Sequence, residues 1–330
     1  MPPKRAASSS KRKVSPESEL SDAESVAAPV KKAKTTKKKE PVLNGQPTNL
    51  VMPVSVSFPK TAGTLRFSAW NVSGLNAALK KSFDTYVAAE DADILVLTET
   101  KVNEKPKAFL QSQYPHQYWS ISSTKGYAGT AVLSKLEPLS VKWDLPGHEQ
   151  AEEAAKGRLI VLEFPNTWIV GTYVPNGGQK LKNIDAKAAW NEAFAKYIHD
   201  LTAQKPVIWM GDVNCAPTPK DLTNSKTNWN KTPGHTQIET DGFNKILGSS
   251  SDSPSGGHLV DVWRQLHPDL THYTYFSYKF KCREKTIGWR LDMYVVSESL
   301  ISRVKTCEIR SEIYGASDHC PIILEIEGDL

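Results

Sequence analysis

The feature that most restricts this chain is a set of short, almost uninterrupted apolar runs, each closed by a polar residue. Residues 94–98 (ILVLT) and 206–210 (PVIWM) show no alternation of polar and apolar positions. A strand with one wet face alternates, so runs of this kind belong to strands buried on both faces, inside sheets that are themselves covered. Further runs at 65–70, 130–133, 159–164, 168–173, 291–296 and 322–326 read as strands, as do 94–98 and 207–210 themselves. Within 185–201, Trp190, Phe194, Tyr197 and Leu201 recur three to four apart, the spacing of an amphipathic helix. Leu75, Leu79, Phe83 and Val87 repeat that spacing and predict a second helix. Strands and helices interleaved in this way predict one α/β domain from residue 63 to 330, its sheets covered by helices. Residues 249–257 (SSSDSPSGG) read as a surface loop within it.

Charge separates the domain from what precedes it. Residues 1–40 hold 11 of the 41 Lys and Arg and 5 of the 36 Asp and Glu, a net of +6, which leaves a net of −1 for the remainder. Rich in Lys, Ser, Pro and Ala, residues 1–62 are expected to form a disordered basic tail. The clusters at Lys4-Arg5, Lys11-Arg12-Lys13, Lys31-Lys32 and Lys37-Lys38-Lys39 suit nuclear import or tethering to a polyanion, and so predict a nuclear location. No apolar run is long enough for a membrane span and no secretory signal is present, so a soluble intracellular protein is expected. Cys215, Cys282, Cys307 and Cys320 are scattered, without the paired spacing of a zinc site.

The polar residues that close the runs share a vocabulary. Run 65–70 ends on Asn71, run 94–98 on Glu99, and run 207–210 passes through Gly211 into Asp212 and Asn214, while Ser317-Asp318-His319 precedes the last run. Singly, each has an ordinary explanation, because Asn and Asp after a strand form turns. Together, strand ends in a layered α/β protein gather at one rim, and carboxylates and carboxamides delivered there suit a hard cation such as Mg2+.

In order along the chain, Trp70-Asn71-Val72-Ser73-Gly74-Leu75, Leu97-Thr98-Glu99-Thr100-Lys101, Gly126-Tyr127-Ala128-Gly129, Tyr173-Val174-Pro175-Asn176, Gly211-Asp212-Val213-Asn214, Gly288-Trp289-Arg290-Leu291-Asp292 and Ser317-Asp318-His319-Cys320-Pro321 resemble the motifs of exonuclease III-type AP endonucleases, over residues 64–330. The resemblance implies a four-layered α/β sandwich of the DNase I-like kind, with two packed mixed sheets flanked by helices. It implies Mg2+-dependent cleavage of the phosphodiester 5′ to an abasic site in double-stranded DNA, leaving a 3′-hydroxyl, with 3′–5′ exonuclease and 3′-phosphodiesterase activity as accompaniments. Mn2+ is expected to substitute, and the protein to act as a monomer. By the same resemblance Glu99 is the principal metal ligand, with Asn71 and Asp318 beside it and Asp212, Asn214 and His319 completing the set. Asp212 resembles the base that deprotonates the attacking water, and Asn214 its hydrogen-bonding neighbour. Tyr173 resembles a donor to phosphate, and His319, held by Asp292, the histidine that contacts phosphate. Tyr127, Asn176, Tyr275, Trp289 and His319 are the expected DNA contacts.

The match departs at Ser73, where relatives commonly carry Asp or Asn, at Gln179, which is arginine in some relatives, and at Lys279-Phe280, which replaces an apolar pair. Two other readings compete. One is a phosphodiesterase or phosphatase of the same fold acting on inositol phosphates, sphingomyelin or poly(A). The other is a catalytically weakened DNA-binding scaffold, which only Ser73 favours.

Overall fold

A computed structural model of the chain describes residues 44–248 and 258–330. The expected loop at 249–257 and the basic clusters before residue 44 lie outside the described residues. The strands in chain order are β1 (Thr64–Asn71), β2 (Ile94–Thr98), β3 (His116–Ser120), β4 (Thr130–Ser134), β5 (Ser140–Lys142), β6 (Leu159–Glu163), β7 (Trp168–Tyr173), β8 (Val207–Asp212), β9 (Leu259–Asp261), β10 (Asp292–Ser297), β11 (Val304–Ile309) and β12 (Ile322–Glu327). They form two six-stranded sheets, β11-β12-β1-β2-β4-β3 and β5-β6-β7-β8-β10-β9. Both are mixed, because β1 and β2 run parallel, as do β7 and β8, while their other neighbours are antiparallel.

Alternate residues of each central strand enter different cores. Ile94 and Val96 of β2 meet Ile208 and Met210 of β8 in the layer between the sheets. Leu95 and Leu97 face outward, against Leu75, Phe83, Tyr86 and Val87 of the helices Leu75–Leu79 and Phe83–Glu90. Val207 and Trp209 face the opposite way, against Trp190, Phe194 and Phe243 of the helices Ile184–Thr202 and Gln237–Leu247. Both faces of each sheet are therefore apolar, which explains the absence of alternation, and the layers run helix, sheet, sheet, helix. No helix among the described residues is long and apolar enough to cross a membrane.

Two expectations need correction. The helix expected across Leu75 to Val87 is two helices, broken where Ser82 takes a left-handed conformation (φ 64°), so the spacing persists while the axis does not. The tail does not extend to residue 62, because residues 44–62 lie against the domain. Gln46 is buried, accepting from Tyr273 N (2.8 Å) and donating to Tyr273 O (2.9 Å) and Ser311 Oγ (2.8 Å). The carbonyls of Phe58 and Pro59 accept from the Arg66 guanidinium at 2.7 and 2.6 Å, and that buried cation is otherwise held by Glu90 and Glu325. Met52, Val56 and Phe58 of this segment also pack against the outer core, so its contacts combine backbone carbonyls, an amide and apolar side chains.

A truncation that spares these contacts must therefore stop before residue 44. Deleting 1–60 in addition strips two acceptors from a buried guanidinium, each worth about 1–3 kcal/mol when left unsatisfied. Thermal melts should place the 1–60 deletion at least about 5 °C below the 1–43 deletion. Equal melting temperatures would show that residues 44–60 contribute nothing to the fold.

Candidate active site

Strand direction decides which residues share a rim. Asn71 pairs with Thr98 across the parallel β1–β2 junction, and Tyr173 with Asp212 across β7–β8. β10 runs antiparallel to β8, so its first residue, Asp292, lies directly opposite Asp212. β12 likewise begins beside the end of β1, which brings Asp318 and His319 to the same edge. Two backbone devices complete the delivery. Gly211 has φ 134°, and a Cβ there would stand 2.1 Å from Thr172 O, so only glycine lets β8 lie this close to β7 just before Asp212. Glu99 (φ 49°) and Asn214 (φ 50°) are left-handed, a conformation that costs Glu99 more than Asn214, and strain of this kind gathers at functional sites.

The side chains interlock. Asn71 Nδ2 donates to Glu99 Oε1 (3.0 Å) and to Asp212 Oδ2 (2.8 Å), joining one acid from each sheet. The other Asp212 oxygen accepts from Asn214 N at 2.8 Å. Asn214 in turn donates to Val174 O (2.9 Å) and accepts from Asn176 Nδ2 (3.0 Å). His319 Nδ1 lies 2.7 Å from Asp292 Oδ2, and its backbone carbonyl accepts from Trp70 Nε1 (2.9 Å). Ser317 Oγ donates to Asn71 O (2.6 Å) and accepts from His319 N (3.1 Å), fixing the Asp318 segment on the end of β1.

Electrostatics follow from this packing. Burial, reinforced by Asp292, pushes Asp212 up to about 7. Burial alone would lower the His319 ring, but Asp292 overrides it and holds His319 at about 10, as an imidazolium at neutral pH. Asp318 is raised by burial and by Glu99, despite His319. Glu99 is held below its ordinary value against its own burial, chiefly by Lys101 Nζ at 2.9 Å and by the Asn71 amide. Tyr173 is pushed well up by burial and by Glu99 and Asp212, so its hydroxyl stays protonated.

Ligating atoms of Asp212, Asp292 and His319 lie within 4.8 Å of one another. Because His319 Nδ1 and Asp292 Oδ2 already face each other, this trio is better described as an acid–imidazolium–acid array. Glu99 and Asp318 fit a cation better, being two oxygen donors that repel one another, with a lysine ammonium already drawn to Glu99. Asn71 and Asn214 are the weakest of the expected ligands, since both ends of each amide are engaged by protein.

Of the expected DNA contacts, Tyr275 and Trp289 are half-buried and pack on Ala216, Leu222 and Leu291 in a small apolar cluster, with the Tyr275 ring 4.9 Å from that of His319. Asn176 bonds to Asn214 as above. Tyr127 is 48% exposed, its hydroxyl accepting from Arg158 Nη2 at 2.9 Å. The aromatics between Tyr273 and Phe280 divide: Tyr273 and Phe276 are core, while Tyr278 and Phe280 are exposed. Ser73 N donates to Asn71 Oδ1 (3.0 Å), so residue 73 orients the Asn71 amide through its backbone. Sequence reasoning missed Lys101, although it stands two residues past an acid at a strand end. It also missed Arg158, whose guanidinium lies 5.1 Å from the Tyr173 ring and which carried no sequence signal.

Two mixed sheets that place these acids, amides and an Asp–His pair on one rim define a phosphodiester-hydrolase architecture. The chain belongs to the Endonuclease/Exonuclease/phosphatase family, whose model matches residues 68–319. It is 40% identical over 264 residues to an exodeoxyribonuclease of Bacillus subtilis (strain 168), covering 79% of this chain and 99% of that protein. It is 38% identical over 309 residues to the DNA repair nuclease APEX1 of Danio rerio, covering 92% and 94%. The solved structure of an AP endonuclease from Archaeoglobus fulgidus superimposes with a TM-score of 0.67 at 26% identity, over 80% of this chain and 100% of that one.

The raised Asp318 carboxyl generates a stability prediction. Its folded value lies above the ordinary 3.8, so its ionised form costs stability above the folded value, and the cost vanishes as pH falls towards about 4. Asp318→Asn should therefore melt about 2 °C above wild type at pH 8 without divalent cations, with the gain fading towards pH 4. Magnesium should narrow the gap by stabilising wild type more. A variant less stable than wild type at pH 8 would mean that Asp318 is paired favourably.

Proposed function

We propose that this chain is a Mg2+-dependent DNA-(apurinic or apyrimidinic site) endonuclease of base excision repair. The observation that carries the reading is the convergence of Asp212, poised near neutrality, with the Asp292-held imidazolium of His319, beside the Glu99 and Asp318 carboxylates. The similarity to an exodeoxyribonuclease, to a DNA repair nuclease and to an AP endonuclease structure supports it.

Asp212, ionised at and above about pH 7, accepts the proton of a water that attacks phosphorus opposite the 3′-oxygen. The water oxygen–phosphorus bond forms, and the bond from phosphorus to the 3′-oxygen breaks with its electron pair on that oxygen. Protonation then leaves a 3′-hydroxyl. Asn214, hydrogen-bonded to Asp212 through its backbone, holds the base in place. The protonated Tyr173 hydroxyl and the His319 imidazolium are donors to the phosphate oxygens, where charge accumulates in the transition state. Glu99 and Asp318 would hold Mg2+, with Asn71 orienting the Glu99 carboxylate, and the ion would supply positive charge to the phosphate and the leaving oxygen. The apolar wall of Tyr275, Trp289 and Leu291 suits a sugar lacking its base. A nuclear location is part of the proposal, supported by the basic clusters of residues 4–39.

A labelled duplex carrying one stable abasic analogue should be nicked on its 5′ side to give a 3′-hydroxyl, and EDTA should abolish the reaction. Asp212→Asn and His319→Ala should each lose at least about 100-fold in rate, the scale expected for a general base or a transition-state donor. Cutting without metal, or a product ending in an unsaturated sugar, would overturn the mechanism.

A further inference from the structure

Behind the catalytic rim lies a buried ion pair that the chemistry above does not use. Lys187, on the first turn of the helix Ile184–Thr202, and Glu239, on the first turn of the helix Gln237–Leu247, each have only 1% of their surface exposed. Lys187 Nζ donates to Glu239 Oε1 (2.9 Å) and to the backbone carbonyl of Asn214. The Glu239 carboxylate also accepts from Gly234 N (2.9 and 2.8 Å) and Thr236 Oγ1 (2.8 Å). A Cβ on Gly177 would stand 3.1 Å from Glu239 Oε1, so the carboxylate also backs the loop that carries Asn176. A Cβ on Gly234 would meet Asn214 O and the Trp289 ring at 3.4 Å, so the loop held by Glu239 touches both the base-side asparagine and the apolar wall.

We propose that Lys187 and Glu239 are positioning residues for phosphodiester cleavage, holding Asn214, and through it Asp212, in register with the Asn176 loop. The inference rests on the endonuclease reading above. Asn214 is left-handed and makes three hydrogen bonds that matter to the site, one through its N–H to Asp212 and two through its side-chain amide. All three depend on the rotation of its backbone, and its carbonyl is the group that Lys187 grips. A buried ion pair is a weak source of stability, because desolvation cancels most of the attraction, and apolar residues of similar volume often serve as well. What it supplies here is directed: an ammonium aimed at one carbonyl, and a carboxylate whose acceptor sites are shared between the pair and two segments of one loop. Neither residue touches the bond that breaks, so loss of either should slow the reaction by misplacement, for which shifts of about 1 Å cost up to about 100-fold.

The test compares Lys187→Met, Lys187→Arg, Glu239→Gln and the double variant Lys187→Met/Glu239→Gln, with Glu325→Gln as a control. Glu325 pairs with buried Arg66 near the end of β1 remote from Asn71, so its loss lowers stability away from the site. Single-turnover rate, affinity for the abasic duplex and melting temperature are measured for each. Lys187→Met should lose about 10-fold to 100-fold in rate, with affinity within about threefold of wild type. Lys187→Arg should recover most of the rate. The double variant should regain stability relative to the singles, because no unpaired charge stays buried, and should remain slow. Glu325→Gln should melt lower at unchanged rate. Recovery of rate together with stability in the double variant would reduce the pair to a structural one and overturn the proposal. So would a wild-type rate in Lys187→Met. Failure of the wild-type protein to cut the duplex would instead refute the endonuclease reading.

Discussion

The site depends on one carboxamide. Asn71 Nδ2 reaches Glu99 from β2 and Asp212 from β8, so a single neutral donor links an acid of one sheet to an acid of the other. Its orientation is imposed by Ser73 N on its own oxygen, and its backbone is held by Ser317 Oγ. An aspartate at position 71 would replace donor by acceptor and set three carboxylates face to face, while an alanine would leave Glu99 and Asp212 without their shared partner. The sandwich brings two sheets together through an apolar layer, and Asn71 converts that contact into a polar junction at the rim.

Beyond this amide the rim is electrostatically costly. Asp212 and Asp318 are both raised, Glu99 takes a left-handed backbone, and Lys101 and His319 are the cations that keep the acids tolerable. Groups that repel when the site is empty attract a cation and a phosphodiester when it is filled, so the cost belongs to the function and is offset by the apolar layers on both faces of each sheet. His319 has the opposite sign in this balance. Its folded value lies above its ordinary one, so its contribution to stability is complete below about pH 6.5 and is lost as pH rises through about 10.

Much of this was legible from residues alone, for a physical reason. The eight strands read from apolar runs are the interior strands of the two sheets, where burial on both faces forces continuous hydrophobicity. The four not read, β3, β5, β9 and β11, are the sheet edges, short or partly exposed, where polar residues guard against unwanted pairing. At the site, Asn71, Glu99, Asp212 and His319 stood out because each follows or precedes an apolar run. Lys187 did not, since a lysine on an amphipathic helix is ordinarily solvated. Only the packing of two helices on one loop shows it buried against Asn214. The contribution of residues 44–60 was hidden in the same way, since carbonyls that satisfy Arg66 leave no trace in side-chain composition.

The central claim is that Asp212 is a base whose proton affinity is set by its buried neighbours through the Asn71 junction. The direct test is the pH dependence of single-turnover cleavage of an abasic-site duplex at saturating magnesium, in wild type and in Asn71→Asp. Wild-type rate should fall on an acidic limb at or below about pH 7, because Asp212 must be ionised to accept the proton and a bound cation favours its ionised form. In Asn71→Asp that acidic limb should move to higher pH, since an added carboxylate makes Asp212 hold its proton more tightly. A wild-type rate with no acidic limb above about pH 4, or a limb that does not move in the variant, would contradict it.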